Sequence, residues 1–285
     1  MKYLVIGKKE DFKKILDEIT LKTNNKMQFG GYLNPNPTSF KENLKYFDRI
    51  LIADPSLEHY IKKELEDAQK NGYIIEILPE IAEKYLQRIP LIVLKKFKYY
   101  YSEFFIEKSE NRFLDIIITL LFLIIASPLL IVIYTINYFM LGKPVIFKQT
   151  RVGKNEKNFL MYKFRTIHNN HINKFCKFLR KTRLDELPQF FNVLKGNMNF
   201  IGPRPEMISF HDMCMENIEF YNYRLLVNPG ITGWAQVKFK YTTNLEDYKI
   251  KTEYDLYYVK NKSLLLDIKI LLLTFLAIFK DQGSL

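Results

Sequence analysis

The sequence predicts a mixed α/β chain in three parts. Three observations carry that prediction: short apolar runs alternate with helical patterns over 1–92, the run Ile116–Leu141 holds no charge, and dense short motifs fill Pro144–Gln236.

In the first part, Lys2–Gly7, Met27–Leu33, Arg49–Ala53 and Tyr73–Leu78 read as strands, with helices at about 10–22, 56–71 and 80–87 between them. Strand–helix alternation implies a small parallel α/β domain, Rossmann-like, over 1–92. Its first turn is Gly7-Lys8-Lys9-Glu10-Asp11-Phe12, with Lys9 and Phe12 where a dinucleotide fingerprint needs glycine. No dinucleotide is therefore expected there, and regulatory or assembly roles stay open. Met1-Lys2 runs straight into an apolar strand, so no cleavable signal peptide is expected. Cys176 and Cys214 form no spacing motif, which points to a reduced, cytoplasm-facing compartment rather than to a disulfide.

Residues 93–111 read as a linker. Its Lys95-Lys96-Phe97-Lys98-Tyr99-Tyr100-Tyr101 suits both a membrane interface and an ordinary packed connector.

Ile116–Leu141 exceeds the roughly 20 apolar residues needed to cross a hydrocarbon core. Two features argue against a simple span. Ser127-Pro128 sits mid-run, where proline removes a donor and breaks or kinks the helix. Both flanks are basic: Lys95, Lys96, Lys98, Lys108 and Arg112 precede the run, and Lys143, Lys148, Arg151 and Lys154 follow it. Cationic flanks favour the cytoplasmic side, so a re-entrant hairpin over 112–142 is expected, with both soluble parts on one face. Asp115 either caps this helix or pairs with Arg112.

The third part, 143–285, is expected to be a mostly helical α+β domain. The net charge is +12, and fourteen Lys/Arg against three acids lie between Lys143 and Pro205. Such a field attracts phosphates of nucleic acid, anionic lipid or nucleotide, and a solvated basic face is the plain alternative. Two of the three acids, Asp185 and Glu186, sit together in Leu184-Asp185-Glu186-Leu187-Pro188-Gln189, which reads as the start of a helix capped by Gly196. Adjacent acids there complement a helix dipole. They also suit chemistry, because Arg180, Lys181 and Arg183 would keep Asp185 ionised as a nucleophile. Glu186 could then hold Mg²⁺ together with substrate phosphate oxygens. Gly202-Pro203-Arg204-Pro205 reads equally as a phosphate-binding arginine on a restricted backbone and as a surface turn. Asn228–Trp234 is a second tight turn, and Trp234 suits either core or interface. His168 and His171 lack companion ligands and read as a polar loop. Ser263–Phe279, interrupted by Asp267 and Lys269, reads as an amphipathic or packed helix.

Together these stretches resemble the monotopic phosphoglycosyl transferases, the bacterial sugar transferase family. The matching residues are Arg112-Phe-Leu-Asp115, Ser127-Pro128, Pro144–Gln149, Arg151-Val-Gly153, Tyr162–Thr166, Leu179-Arg180, Leu184–Gln189, Asn192–Gly196, Gly202–Pro205 and Pro229–Val237. Tyr254–Tyr258 and Leu266–Lys269 complete the series, which covers about 108–282 in order. The resemblance implies a transferase of the bacterial inner membrane, on its cytoplasmic face, that primes exopolysaccharide, O-antigen or glycoprotein glycan assembly. In such an enzyme Asp185 attacks the sugar-linked phosphate of a UDP-sugar and expels UMP. Undecaprenyl phosphate then captures the aspartyl phospho-sugar. The resemblance also assigns Glu186 to Mg²⁺ and acceptor activation, and Lys163, Arg165, Arg180 and Arg204 to phosphate, with Asp255 a further site candidate. No nucleic-acid partner is expected, and a homo-oligomer is left open. Ile167, Arg183 and Asn197-Met-Asn199 depart from the family pattern without touching the nucleophile. Larger family members carry a Rossmann-like domain like the first part, and in them about four transmembrane helices precede it. Two other readings compete: a membrane-anchored anion-binding module without chemistry, and a glycosyltransferase that would release UDP rather than UMP. The sugar is not legible.

Overall fold

The computed structural model describes residues 1–33, 36–107, 112–168, 171–239 and 242–279. Lys108, one of the cationic flanks, lies outside the described residues. The chain divides into two units, Met1–Phe105 and Ile106–Leu285.

The first unit runs β1 (Lys2–Ile6), α1 (Lys9–Lys22), β2 (Gln28–Leu33), α2 (Pro37–Leu44), β3 (Arg49–Ile52), α3 (Lys62–Lys70), β4 (Ile74–Ile77), α4 (Leu78–Leu86), α5 (Leu91–Lys96) and α6 (Lys98–Ser102). Its four strands pair in parallel, in the order β2-β1-β3-β4. Leu4, Val5, Ile6, Ile50 and Leu51 are fully buried, as a parallel sheet covered by helices requires. All four expected strands are present. Helix α2 was not expected; the Asn36 side chain caps it by accepting from the Thr38 amide, and Pro37 opens its first turn. The single helix expected at 56–71 is a 3₁₀ segment, Pro55–Ile61, followed by α3. The supposed linker is also partly folded. Val93, Leu94, Phe97 and Tyr101 recur at helical spacing and are buried, so α5 and α6 belong to this unit.

The second unit runs α7 (Phe113–Leu141), β5 (Ile146–Val152), β6 (Asn158–Phe164), α8 (Lys174–Lys181), α9 (Gln189–Leu194), β7 (Asn199–Ile201), α10 (Ile208–Asn217), β8 (Gly230–Thr232), α11 (Trp234–Lys238), α12 (Leu245–Asn261) and α13 (Leu264–Phe279). Strands β5 and β6 form an antiparallel hairpin, and β7 pairs in parallel with β8.

Helix α7 is long and apolar enough to cross a membrane. The break expected at Pro128 does not divide it, since the helix runs through the proline without interruption. Pro128 offers no N–H to the Ile124 carbonyl, and the Ser127 hydroxyl donates to that carbonyl instead, at 2.8 Å. Thr119, Ala126, Ile133, Asn137 and Leu141 form a buried stripe at helical spacing. Ile133 joins Val145, Phe164, Leu179, Leu187 and Phe190 in one core, with Phe122, Leu123 and Leu130 packed beside it. Ile118, Leu121, Ile125, Val132 and Phe139 are exposed.

Both ends of α7 are tied to this unit. Arg112 donates to the Val193 carbonyl, and Asp115 accepts from the Phe200 amide at 3.0 Å. Asp115 thus serves neither as a cap nor as a partner of Arg112, because a strand amide competes for its carboxylate. At the other end Asn137 donates to the Arg165 carbonyl at 3.2 Å. The Arg165 guanidinium donates in turn to the carbonyls of Leu141 and Gly142.

Helix α13 buries Ile270 in a core with Ile201, Trp234 and Tyr258. Its other face exposes Leu264, Leu265, Ile268, Leu272, Phe275 and Leu276. Asp267, one of the two charges interrupting this apolar segment, accepts from the Tyr258 hydroxyl at 2.9 Å. Trp234 is core.

Candidate active site

Asp185 and Glu186 lie on a single 3₁₀ turn, Leu184–Glu186, ahead of α9 rather than at the start of an α-helix. The chain enters this turn through Arg183 in the left-handed region (φ 55°), and the Glu186 amide donates to the Arg183 carbonyl at 3.0 Å. Leu187 and Phe190 anchor the turn from below in the core that includes Ile133 of α7. Both carboxylates are nearly buried, 9% and 8% exposed.

Glu186 collects the local positive charge. Its Oε1 accepts from Lys163 Nζ on β6 at 2.6 Å and from Arg204 Nη2 at 3.1 Å. Burial works to raise the Glu186 pKa, but Arg204 and Lys163 outweigh it and hold the group well below the usual carboxylate range. Burial lowers the pKa of Lys163, against the opposing pull of Glu186.

Asp185 behaves in the opposite way, and this corrects an expectation. The basic field was expected to keep it readily ionised. Instead burial, and then the charge of Glu186, push its pKa up to about 6, while Lys163 and Arg180 pull it back only in part. The cations are committed to the neighbouring acid. Among the described residues, no side chain donates a hydrogen bond to Asp185. The result is an unpaired carboxylate beside a paired one, the division of roles a nucleophile and an anchor require.

The Arg204 turn is fixed from behind. The Gly202 amide donates to the Thr232 carbonyl and the Gly230 amide to the Pro203 carbonyl, each at 3.0 Å. Arg224 Nη2 donates to the Arg204 carbonyl at 2.7 Å. Arg151 donates to the Pro205 carbonyl at 3.2 Å and to Gln149 at 2.6 Å. Glu206, the next residue, is buried against Lys251.

Of the expected site residues, Lys163, Asp185, Glu186 and Arg204 come together, and Arg180 acts on Asp185 through its field. Arg165 does not join them, since its guanidinium is taken up by the carbonyls that end α7. Asp255 does not reach the cluster either. It is buried against Arg224, whose Nε donates to its carboxylate at 2.9 Å. Sequence reading missed Arg224, Glu206 and Lys251, which carry no local signal. Arg151 was read as a cationic flank and as part of a motif, not as a support of the Arg204 turn. His168 and His171 bond to each other through their backbones, each amide donating to the other's carbonyl. Among the described residues no group of three His, Cys, Asp or Glu could hold a metal. A hard divalent cation needs less, because Mg²⁺ commonly takes one or two carboxylates and completes its shell with phosphate oxygens and water. The donor set fits that pattern, since Lys163 and Arg204 both occupy one oxygen of Glu186.

The chain is 41% identical over 188 residues to a UDP-N-acetylgalactosamine-undecaprenyl-phosphate N-acetylgalactosaminephosphotransferase of Aeromonas hydrophila, covering 61% of this chain and 44% of that protein. It is 42% identical over 190 residues to a UDP-glucose:undecaprenyl-phosphate glucose-1-phosphate transferase of Klebsiella pneumoniae, covering 61% and 41%. The enzyme of the same name from Xanthomonas campestris pv. campestris is 32% identical over 277 residues, covering 87% and 57%. The chain thus spans about half the length of these relatives. The family model described as bacterial sugar transferase matches residues 106–281, from just ahead of α7 to the end of α13, and the chain belongs to that family.

Proposed function

We propose that this chain transfers a sugar 1-phosphate from a UDP-sugar to undecaprenyl phosphate, releasing UMP, as the initiating step of surface polysaccharide or glycan assembly. The observation that carries the reading is the asymmetry of the acid pair, with one oxygen of Glu186 held by both Lys163 and Arg204 while Asp185 is left unpaired with its pKa pushed up to about 6. A carboxylate with that pKa is mostly ionised at neutral pH and not neutralised by a cation.

In the first step an Asp185 carboxylate oxygen bonds to the sugar-bearing phosphorus, and the bond from that phosphorus to the bridging oxygen breaks. UMP leaves with the electron pair. In the second step a phosphate oxygen of undecaprenyl phosphate bonds to the same phosphorus, the aspartyl bond breaks, and the Asp185 carboxylate is regenerated. Arg204, fixed from behind by Arg224, and Lys163 stand where they would bear the negative charge of the phosphates. Mg²⁺, when bound through Glu186, would supply further positive charge to those oxygens.

Membrane placement rests on α7. Its exposed face is apolar, while its two ends bond to the same unit through Arg112 and Asp115 at one end and through Asn137 and Arg165 at the other. From these ties, and not from a break at Pro128, we infer that α7 returns both of its ends to the same face of the bilayer. The exposed apolar face of α13 supplies a second surface for the same leaflet. We assign the chain to the cytoplasmic face of the bacterial inner membrane, and the four-stranded first unit to a Rossmann-like module.

The test uses membranes containing the chain, Mg²⁺, undecaprenyl phosphate and a panel of UDP-sugars, scored for the nucleotide released. UMP is expected, and Asp185→Asn should stop its release without loss of membrane association. Release of UDP, or full activity of the variant, would overturn the mechanism. Cysteines placed at Tyr100 and Thr150 should label from the same side. Labelling from opposite sides would sink the re-entrant topology.

A further inference from the structure

Beside α7 lies a groove of about 670 Å³ that the proposed reaction does not use. Its apolar wall is formed by Leu130, Ile131 and Tyr134 of α7 with Pro188 and Phe191. Its other wall is one face of the β5–β6 hairpin, where Ile146 pairs with Phe164 and Lys148 pairs with Tyr162. Lys195 closes the rim. It donates to the Tyr162 hydroxyl at 2.8 Å and stands 4.6 Å from the ring centroid, while Lys148 stands 6.0 Å from the same ring. Among the described residues no carboxylate pairs with Lys148 or Lys195. Two ammonium groups and a phenol therefore gather at the edge of an apolar trough without a counter-charge. The chemical complement of that arrangement is a phosphate carrying a hydrocarbon chain.

The ligand is not the reacting phosphate. Successive strand residues project to opposite faces, so Tyr162 and Phe164 face the groove while Lys163, between them, turns its ammonium to Glu186. A phosphate on Lys148 and Lys195 sits behind the strand from the nucleophile.

We propose that this groove is a lipid site distinct from the reacting centre. It takes an anionic phospholipid of the bilayer, with the phosphate on Lys148, Lys195 and Tyr162 and an acyl chain laid along α7. The inference rests on the membrane placement proposed above and not on phosphotransfer. Its test therefore reads bound lipid rather than turnover. Such a lipid would clamp the hairpin against the membrane helix, directly behind the strand that carries Lys163.

The full chain, extracted in mild detergent and supplied with equal phosphatidylglycerol and phosphatidylcholine, is assayed by native mass spectrometry for lipid retained. Wild type should keep phosphatidylglycerol preferentially. Lys148→Gln with Lys195→Gln should lower that retention by about tenfold or more, and Lys174→Gln with Lys177→Gln, the same charge change on exposed α8, should leave it within about twofold. Ile131→Trp, which fills the trough and keeps both lysines, should also lower it. Circular dichroism establishes that each variant is folded. Equal loss in the two lysine pairs would reduce the effect to diffuse charge and overturn the site. One-for-one displacement of phosphatidylglycerol by undecaprenyl phosphate would give the groove to the acceptor and likewise overturn the proposal.

Discussion

Arg224 connects Asp255 to the Arg204 turn: its Nε donates to the Asp255 carboxylate at 2.9 Å while its Nη2 donates to the carbonyl of Arg204 at 2.7 Å. Both side chains of this ion pair are almost wholly buried. Asp255 is thus linked to the Arg204 turn at one remove, through Arg224.

Breaking one side of a buried pair leaves a charge without a partner and typically costs about 3–5 kcal/mol, whereas removing both members costs far less. Asp255→Asn and Arg224→Gln should each be strongly destabilised, and the double variant should be more stable than either. A double-mutant cycle on thermal stability in detergent measures this. Additive losses would show that the two side chains act independently.

The raised pKa of Asp185 has a sign that separates stability from activity. A carboxyl whose folded pKa is about 6 against an ordinary 3.8 costs folding free energy once it ionises, so its penalty grows as pH rises through that interval and is fully present above pH 6. Glu186 has the opposite sign, since its depressed pKa contributes stability above the ordinary glutamate value that is lost in acid. Asp185→Asn should therefore be inactive and yet more stable than wild type at pH 8, by on the order of 2 kcal/mol. The difference should vanish below pH 4. In wild type, kcat/KM for UMP release should climb with pH and level off above about 6. An Asn variant less stable at pH 8 would contradict the unpaired carboxylate described here.

Three glycines let two turns touch backbone to backbone. A Cβ on Gly230 would stand 2.1 Å from the Gly202 amide nitrogen, and one on Gly233 would stand 2.1 Å from the Gly202 carbonyl oxygen. Neither obstacle is a flexible side chain, so Gly230→Ala should force the Arg204 turn outward and cost about 3 kcal/mol or more. Gly72, with nothing near its Cβ position but φ at +87°, should lose only about 1 kcal/mol as alanine, through backbone strain alone. Comparing the two by chemical denaturation tests whether contact or φ governs each position.

Much of this was legible in the sequence because it is local. Short apolar runs between helical patterns located β1 to β4, the uncharged run located α7, and short motifs brought Lys163, Asp185, Glu186 and Arg204 onto one list. What failed was pairing at a distance. The sequence places Arg180, Lys181 and Arg183 beside Asp185, but the cations that bond to the acid pair come from β6 and from the Arg204 turn, and they choose Glu186. Arg165 looks like any other cation in the basic stretch until the end of α7 presents bare carbonyls to it. Pro128 reads as a break because the pattern shows the lost donor and not the Ser127 hydroxyl that replaces it.

The bond between Asp115 and the Phe200 amide helps to hold the start of α7 to the rest of its unit, as does that of Arg112 to Val193. Phe200 lies 5.0 Å, ring to ring, from Phe190, which is itself 4.2 Å from Phe122 of α7. The amide is thus fixed beside an aromatic stack that includes the membrane helix. Asp115→Ala leaves that N–H without its acceptor, which costs about 1–3 kcal/mol in a buried setting. Asp115→Asn keeps an acceptor oxygen and should lose less than half as much. Amide hydrogen exchange at Phe200 reads the contact directly: it should quicken at least about fivefold in the alanine variant and little in the asparagine variant. Equal protection in all three proteins would show that packing of Phe190 and Phe200, and not the carboxylate, holds α7 against β7.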